Sequence, residues 1–349
     1  MDRHGLLVVP LLLFTAATHS PADLHGQIRG TVKGTVTDAE TGAPLGNTNV
    51  YLSSTTIGTN TGPDGRYVLT NIPRGVFHVV ASRVGHMMAS ELIHVSQAET
   101  LRTDFRLRPG TLQGEEVQVL AHVDAEWRRS LADFRRAFFG EGENASECTL
   151  LNPEVLDFRV VTGTKILIAS TDSVLRIENR ALGYRLFARL GVFEWDVDDD
   201  QGRFVLYPRF EAFTSGDSSE PTRWRSTRTR SYSGSLKHFL ASLVAGTLDQ
   251  ERFLVSSGTL TDLRAGASHP LSPDDFTLLP VPGQSLWQLT FTNWLRVDYR
   301  GEQARLKSYI GLSGKTAVLD AAGNLVDPLC IEIIGDWTKY RVADMLPID

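Results

Sequence analysis

Near the middle of the sequence, arginines are concentrated in a short run that also contains aromatic residues. Six of its residues have the chemistry of a ligand site: Arg223, Trp224, Arg225, Arg228, Arg230 and Tyr232. Guanidinium groups bind phosphates and carboxylates through paired hydrogen bonds, and they stack on aromatic rings. The run therefore predicts a site for phosphates, acidic sugars or carboxylates. The alternative is a strand whose solvent face carries Arg223 and Arg225, with several arginines paired to acidic residues.

Three aspartates could together bind a metal ion. Asp196, Asp198 and Asp200 alternate within a short acidic stretch, and calcium prefers such oxygen-rich loops. The EF-hand pattern is incomplete, because its glycine is displaced by one position and Tyr207 stands where the closing glutamate belongs. We therefore favour an acidic hairpin turn between two strands and keep a calcium site as the alternative.

The sequence contains no motif of a common hydrolase. Zinc peptidases need clustered ligands such as His-Glu-x-x-His, whereas the histidines here are scattered. An α/β-hydrolase needs Gly-x-Ser-x-Gly, and the nearest arrangement is Ser233 and Ser235 followed by His238. Ser235 is equally suited to cap a helix. We predict no catalytic residue and no cofactor, and keep a hydrolase with its site in the C-terminal half as an alternative.

The start of the chain has the pattern of a secretory signal. Arg3 and His4 precede an apolar run, Leu6–Ala17, and small residues follow it, so we expect cleavage near residue 22. The run is too short for a comfortable membrane span, and no later segment is long and apolar enough. We therefore expect an exported protein of the periplasm or outer membrane, with secretion as the alternative, and without a transmembrane span after signal removal. The net charge of −6 argues against a nucleic-acid partner.

The chain has two cysteines, Cys148 and Cys330. In an oxidising compartment they could form a disulfide that closes a very long loop and stabilises the fold by a few kcal/mol. The alternative is a pair of separate buried thiols that behave as small apolar residues.

Alternation of apolar and polar residues dominates residues 28–109. Within Thr100–Leu107, the apolar residues Leu101, Phe105 and Leu107 share one face because successive side chains of a strand point to opposite sides. Seven such segments are separated by clusters of turn-forming residues, which are Asp38–Gly42, Gly62–Gly65 and Ile72–Gly75. Short strands at this spacing predict a seven-strand β-sandwich.

The same residues carry a resemblance to a known family. The segments are Gly34–Asp38, Thr41–Leu45, Asn49–Leu52, Gly58–Thr59, Asp64–Leu69, Asn71–Gly75 and Ser82–Gly85. Together they resemble the carboxypeptidase regulatory-like domain, which is frequent in envelope proteins of Bacteroidetes-type bacteria. The resemblance implies a transthyretin-like sandwich. It implies no peptidase activity, because the family is an accessory domain beside a separate zinc enzyme.

Residues 110–123 are predicted to form a linker with one strand, Glu115–Leu120. A similar segment follows the same kind of sandwich in TonB-dependent outer-membrane transporters. The rest of this chain is too short for the plug and barrel of such a transporter. We therefore expect a separate protein, with an accessory to a TonB-dependent transport system as one alternative function.

Residues 124–349 are predicted to form a β-rich α+β domain. Asp124 can cap a helix whose apolar stripe contains Trp127, Leu131 and Phe134. A second helix is predicted at Ser235–Ala245. The predicted strands are Lys165–Ala169, Val174–Glu178, Tyr184–Val197, Arg203–Phe213, Arg252–Ser256, Leu286–Tyr299 and Ala304–Leu312. Several segments also resemble those of bacterial envelope proteins that carry an uncharacterised domain after the sandwich, namely Glu147–Glu154, Ile177–Tyr184, Tyr232–Ser235, His238–Leu240 and Arg341–Pro347.

The chain as a whole is therefore expected to be mainly β and to act in binding or assembly at the cell envelope. The expected partners are envelope or outer-membrane proteins, a peptide or a glycan. The tryptophans of the second half could stack on sugar rings, although core packing explains them equally well.

Overall fold

The computed structural model describes residues 29–110, 125–267, 269–272, 274–302 and 304–348. The predicted signal, the cap residue Asp124 and nearly all of the predicted linker lie outside these ranges. Within them the protein is mainly β, as expected, with strands in five sheets and four α-helices. None of the described helices is both long and apolar enough to cross a membrane.

The N-terminal region is a sandwich of two four-stranded sheets. One sheet has the order β4-β1-β7, with β8 also paired to β1, and the other has the order β3-β2-β5-β6. The strands are β1 Arg29–Asp38, β2 Asn49–Leu52, β3 Gly58–Asn60, β4 Arg66–Pro73, β5 Gly75–Ser82, β6 Ala89–Val95, β7 Thr100–Arg102 and β8 Phe105–Leu107. All seven predicted strands are present, and the last of them is divided into β7 and β8.

The division between β7 and β8 has a local cause. Both pieces run parallel to β1, but the Asp104 carboxylate between them accepts hydrogen bonds from the backbone N–H and the hydroxyl of Thr35, at 2.8 and 2.9 Å. A side chain thus takes the place of a ladder bond. The predicted apolar face is buried, since Phe105 and Leu107 join Val32 and Val36 in the sandwich core.

The second core lies between one helix and one large sheet. The sheet has the order β10-β11-β13-β12-β9, and β14 pairs with β13. Helix α1 covers it, as the apolar stripe predicted, with Phe134 and Phe138 completely buried. The elements are α1 Ala125–Phe139, β9 Cys148–Leu150, β10 Asp157–Val160, β11 Ile166–Ser170, β12 Leu175–Asn179, β13 Tyr184–Asp196 and β14 Gln201–Ala212.

The third core lies between helix α3 and two smaller sheets, and helices α2 and α4 belong to the same part of the chain. The sheets have the orders β16-β15-β19-β20-β22 and β17-β18-β21. The elements are α2 Glu220–Tyr232, α3 Leu236–Ala245, β15 Phe253–Gly258, α4 Leu260–Ala265, β16 His269–Pro270, β17 Phe276–Pro280, β18 Leu286–Phe291, β19 Trp294–Arg300, β20 Arg305–Leu312, β21 Ala317–Asp320 and β22 Ile331–Gly335.

One predicted strand of this region is wrong in an instructive way. Leu286–Tyr299 was expected to be continuous, but the chain leaves one sheet after Phe291 and enters the other at Trp294. The apolar alternation survives because β18 and β19 both face the same core, which contains Leu289 and Leu295. Periodicity records which side chains are buried and does not record which strands are neighbours.

The sandwich contacts the rest of the protein through its β2–β3 turn. The backbone N–H of Ser54 donates to the Pro208 carbonyl at 2.6 Å, and the Phe210 N–H donates to the Thr55 carbonyl at 2.8 Å. The Ile348 N–H also donates to the Ser54 carbonyl, at 2.9 Å. The end of β14 and the C-terminal segment therefore both border the sandwich.

Candidate functional site

The arginine-rich run is helix α2, and the strand considered as its alternative interpretation is wrong. Pro221 stands in the first turn, where its missing N–H costs nothing. Trp224, Thr227 and Ser231 follow at the spacing of one helical face, and all three are buried. The helical spacing of these residues is present in the sequence. Two of the three are small and polar, however, so they form no apolar stripe from which a helix could be predicted.

Three of the six predicted ligand residues hold α2 against the rest of the fold. Trp224 is buried and its indole N–H donates to the Arg180 carbonyl at 3.0 Å. Arg228 lies over the Tyr184 ring at 4.0 Å, and its Nε donates to a backbone carbonyl at 2.8 Å. Arg223 forms an ion pair with Glu147 at 3.0 Å. These three side chains already bind other groups of the protein, and such contacts do not favour a ligand site along the whole run. The site stays a prediction.

The other three residues face outward. Arg225 and Arg230 are exposed, and the nearest carboxylate paired with Arg230 is Glu143 at 3.9 Å. Tyr232 is 37% exposed at the end of α2. Arg230 and Tyr232 border two different depressions, which are separated by the Ser233–Ser235 turn.

The depression beside Tyr232, here called the apolar groove, has a volume of about 340 Å³. It lies between the α2–α3 turn, the β14 strand and the C-terminal segment. Tyr340, like Tyr232, is 37% exposed, so two phenol rings are partly open to solvent there. The lining is mostly apolar and comprises Phe204, Ser231, Tyr232, Ser235, Leu236, Lys237, Ile333, Trp337, Tyr340, Arg341, Asp344, Met345 and Leu346.

The few polar groups of the apolar groove are held in place by the protein. The Asp344 Oδ1 atom accepts hydrogen bonds from Asn144 Nδ2 at 2.7 Å and from Ser231 Oγ at 3.2 Å. Among the described residues, its Oδ2 atom is buried without a partner. Burial raises the pKa of the Asp344 carboxyl above its ordinary value, against the opposing effect of these two hydrogen bonds. Arg341, in turn, forms an ion pair with Asp200 at 2.9 Å.

A second cavity of about 430 Å³ adjoins the apolar groove and reaches the sandwich. The two share Phe204, Leu236, Lys237, Met345 and Leu346 in their linings. From the sandwich, Phe77 and His78 complete the second cavity. A ligand longer than one side chain could therefore extend from the apolar groove towards the N-terminal region.

The predicted aspartate cluster forms the expected hairpin turn between β13 and β14. The Asp196 Oδ1 atom accepts from the backbone N–H groups of Asp198 and Asp199 at 3.1 and 3.2 Å. Asp200 accepts from Trp195 and pairs with Arg341. Within the described ranges, no group of three or more His, Cys, Asp or Glu side chains is arranged to hold a metal ion. The carboxylates are thus used in shaping the turn.

Of the two alternatives for the cysteines, the structure has separate buried thiols and no disulfide. Cys148 and Cys330 are both free and buried, and they belong to different hydrophobic cores. Burial raises the pKa of each thiol, so neither is an activated nucleophile. Position in the sequence could not show this, because a pairing depends on the separation of the two Cα atoms.

His238 does not activate a serine. Ser235 is the N-cap of α3 and its hydroxyl accepts from the His238 backbone N–H at 3.1 Å. The ring Nδ1 accepts from the Gly234 N–H at 3.0 Å, so the ring proton lies on Nε2, which is 3.1 Å from Glu251. Both ring nitrogens are therefore occupied, and no lone pair remains for Ser233 or Ser235.

Comparison with known proteins identifies the N-terminal region. The family model of the CarboxypepD_reg-like domain matches residues 32–119. No curated protein matches the chain. In the groove, Tyr232 and Arg341 belong to segments that resemble envelope proteins, whereas Tyr340 and Ile333 belong to no motif and were missed.

Solved structures offer only distant likenesses. The pilus 2b backbone protein of group B streptococcus is 16% identical, with a TM-score of 0.20, over 24% of this chain and 42% of its own. A protein of Bacteroides uniformis ATCC 8492, provisionally described as carbohydrate binding, is 9% identical with a TM-score of 0.20, over 88% and 98%. A protein of unknown function from Bacteroides fragilis NCTC 9343, provisionally described as membrane-associated, is 10% identical with a TM-score of 0.19, over 88% and 97%. The chain spans less than half of the streptococcal protein, and scores this low carry no argument.

Proposed function

We propose that this chain, which carries a CarboxypepD_reg-like domain at residues 32–119, is a non-catalytic binding protein that holds an extended peptide by an apolar side chain in the apolar groove. The observation that carries the proposal is the groove itself. It places two partly exposed tyrosines, Tyr232 and Tyr340, around a mostly apolar depression of about 340 Å³. Concave apolar sites with a few fixed polar groups are typical of ligand pockets.

The composition of the groove favours a peptide over a glycan. A sugar ring presents hydroxyl groups that need several hydrogen-bonding partners, and leaving them unpaired costs free energy. The polar groups here are largely engaged, since Ser231 and Asp344 bond each other and Arg341 pairs with Asp200. An apolar side chain needs no such partners and gains free energy by leaving water. The adjoining cavity provides space for the neighbouring residues of a peptide.

We further propose that the protein is exported and acts at the cell envelope, with the unit of residues 28–109 as one domain and residues 124–349 as another. The support for export is the pattern of residues 1–22, with basic residues before a short apolar run. The support for an assembly function is that the second cavity is lined by both regions, so a bound peptide would contact both.

Calorimetric titration with hexapeptides tests the proposal. Peptides with a central phenylalanine or leucine are expected to bind, and replacing that residue with serine is expected to abolish binding. Tyr340→Ala and Tyr232→Ala should each weaken binding about tenfold, because partly buried aromatic contacts often carry more than 1 kcal/mol.

The matched control is Leu279→Ala, which removes an exposed apolar side chain outside the groove. It should leave the affinity unchanged. Equal weakening by all three substitutions, or equal binding of the serine peptide, would show that the groove does not select an apolar side chain.

A further inference from the structure

Four arginines that the apolar groove does not use lie together on the other side of the Ser233–Ser235 turn. Strands β19 and β20 end at Arg300 and Arg305, which are cross-strand partners. Two adjoining depressions of about 270 and 380 Å³ share Arg252, and they extend to Arg230 on one side and to Arg300 and Arg305 on the other. We call this feature the arginine cleft, defined by Arg230, Arg252, Arg300 and Arg305.

The arginine cleft carries more positive charge than the fold needs. Like charges placed directly opposite each other on paired strands are destabilising, and Arg300 and Arg305 are so placed. No described carboxylate pairs with either of them. The cleft contains two carboxylates: Glu302 pairs with Arg252 at 2.9 Å, and Glu251 bonds His238 at 3.1 Å. Glu143 also lies 3.9 Å from Arg230. Four guanidinium groups against these three described carboxylates leave an excess of about one positive charge, which becomes about two when Glu302 moves away, in a chain of net charge −6.

The backbone beneath the arginine cleft is closely packed. The Tyr299 ring fits between Gly234 and Gly301, where an added Cβ would lie 2.4 Å from ring atoms in both cases. The α2–α3 turn and the β19–β20 hairpin therefore meet at this ring. The Arg300 N–H donates to the Arg252 carbonyl at 3.0 Å, and this hydrogen bond joins the turn before β15 to the same hairpin.

Arg252 itself has an unusual backbone conformation. Its φ is +64°, in the left-handed region where glycine is the ordinary residue and a larger side chain is strained. The turn before β15 needs that conformation, but it does not need an arginine. Strain of this kind is concentrated at ligand sites, where the side chain has a use that offsets its conformational cost.

We propose that the arginine cleft binds a phosphate group, either as the free ion or carried by a small molecule. A phosphomonoester has a charge of about −1.5 to −2 at neutral pH, which matches the charge excess of the cleft without Glu302 better than a single carboxylate does. Guanidinium groups bind phosphate oxygens through paired hydrogen bonds. Glu302 is 79% exposed in its side chain, so it can leave Arg252 when the phosphate arrives. This site is independent of the apolar groove and of the ligand proposed there.

Calorimetric titration at low ionic strength tests the proposal with inorganic phosphate, glucose 6-phosphate and glucuronate. Both phosphates are expected to bind more tightly than glucuronate, and added salt should weaken them because the cleft is exposed. Preference for glucose 6-phosphate would indicate a phosphosugar, and preference for inorganic phosphate would indicate the free ion; either result supports a phosphate site.

The decisive variants are Arg252→Gly and Arg305→Gln. The first removes the guanidinium and relieves the backbone strain, so the melting temperature should be held or raised while phosphate affinity falls about tenfold or more. The second alters an exposed side chain, so the test stands even if Arg252→Gly unfolds. Arg225→Gln, an exposed arginine of α2 outside the cleft, is the control and should bind as the parent does. Absence of phosphate binding at 50 mM, glucuronate bound as tightly as phosphate, or equal affinity in all three variants would overturn the proposal.

Discussion

At the scale of single residues, the long side chains of helix α2 include several that contact other parts of the protein. Trp224 and Arg228 donate hydrogen bonds to the protein's own carbonyl groups, although the arginine run was predicted to bind a ligand. The aspartate turn was expected from its spacing, and the structure adds that Asp200 binds Arg341, 141 residues away. Such long-range partners leave no trace in local spacing, so of the residues that line the apolar groove only Tyr232 was among the predicted ligand residues.

One residue-scale prediction concerns Asp344. Its pKa is raised by burial, so the folded state holds this proton more tightly than the unfolded state, whose ordinary value is 3.8. Its carboxyl therefore favours folding below pH 3.8, and that contribution is lost as the pH rises through the folded-state pKa. Asp344→Asn keeps an oxygen for Asn144 and Ser231 and cannot ionise.

We expect Asp344→Asn to be more stable than the parent at pH 7, by about 1 kcal/mol, the usual size of a single-residue effect. The difference should vanish at pH 3.5, where the parent carboxyl is protonated. Thermal unfolding at both pH values measures it. A constant difference across the pH range would show that the ionisation of Asp344 is not its cause.

At the scale of elements, the alternation of apolar and polar residues predicted the strands. A helix was predicted only where its buried face is made of apolar residues. The seven segments of the sandwich and helix α1 were predicted because burial on one face imposes its period on the sequence. Helix α2 was missed because its buried face contains Thr227 and Ser231. Short strands such as β9, β21 and β22 were missed because three to five residues carry too little periodicity to be recognised.

An element-scale prediction separates the cap function of Ser235 from a nucleophilic one. Ser235→Ala removes the hydroxyl that accepts from the His238 N–H, and it should lower the free energy of unfolding by about 1 kcal/mol. Ser233→Ala, two residues earlier, changes a hydroxyl that caps no helix and should have little effect. Denaturant unfolding of the two variants measures both. Equal effects of the two substitutions would contradict the cap assignment.

At the scale of the whole molecule, the apolar groove exists because three regions meet. The α2–α3 turn, strand β14 and the C-terminal segment each supply one wall, and the sandwich borders the adjoining cavity through Phe77 and His78. Among the described residues, the sheets of the sandwich do not continue into the other sheets, although an isolated bridge joins Thr55 to Arg209. The mainly β class was predictable from the sequence, whereas a site between distant segments depends on how they pack.

The most direct test of the peptide-binding groove uses the methionines as reporters. Met345 lines the groove, whereas Met87 lies on the sandwich and is 59% exposed. In protein labelled with ¹³C-methyl methionine, NMR titration with a hexapeptide that has a central phenylalanine should shift the Met345 signal and leave the Met87 signal in place. If the peptide binds and the Met345 signal does not move, or if both signals move equally, the groove is not the binding site.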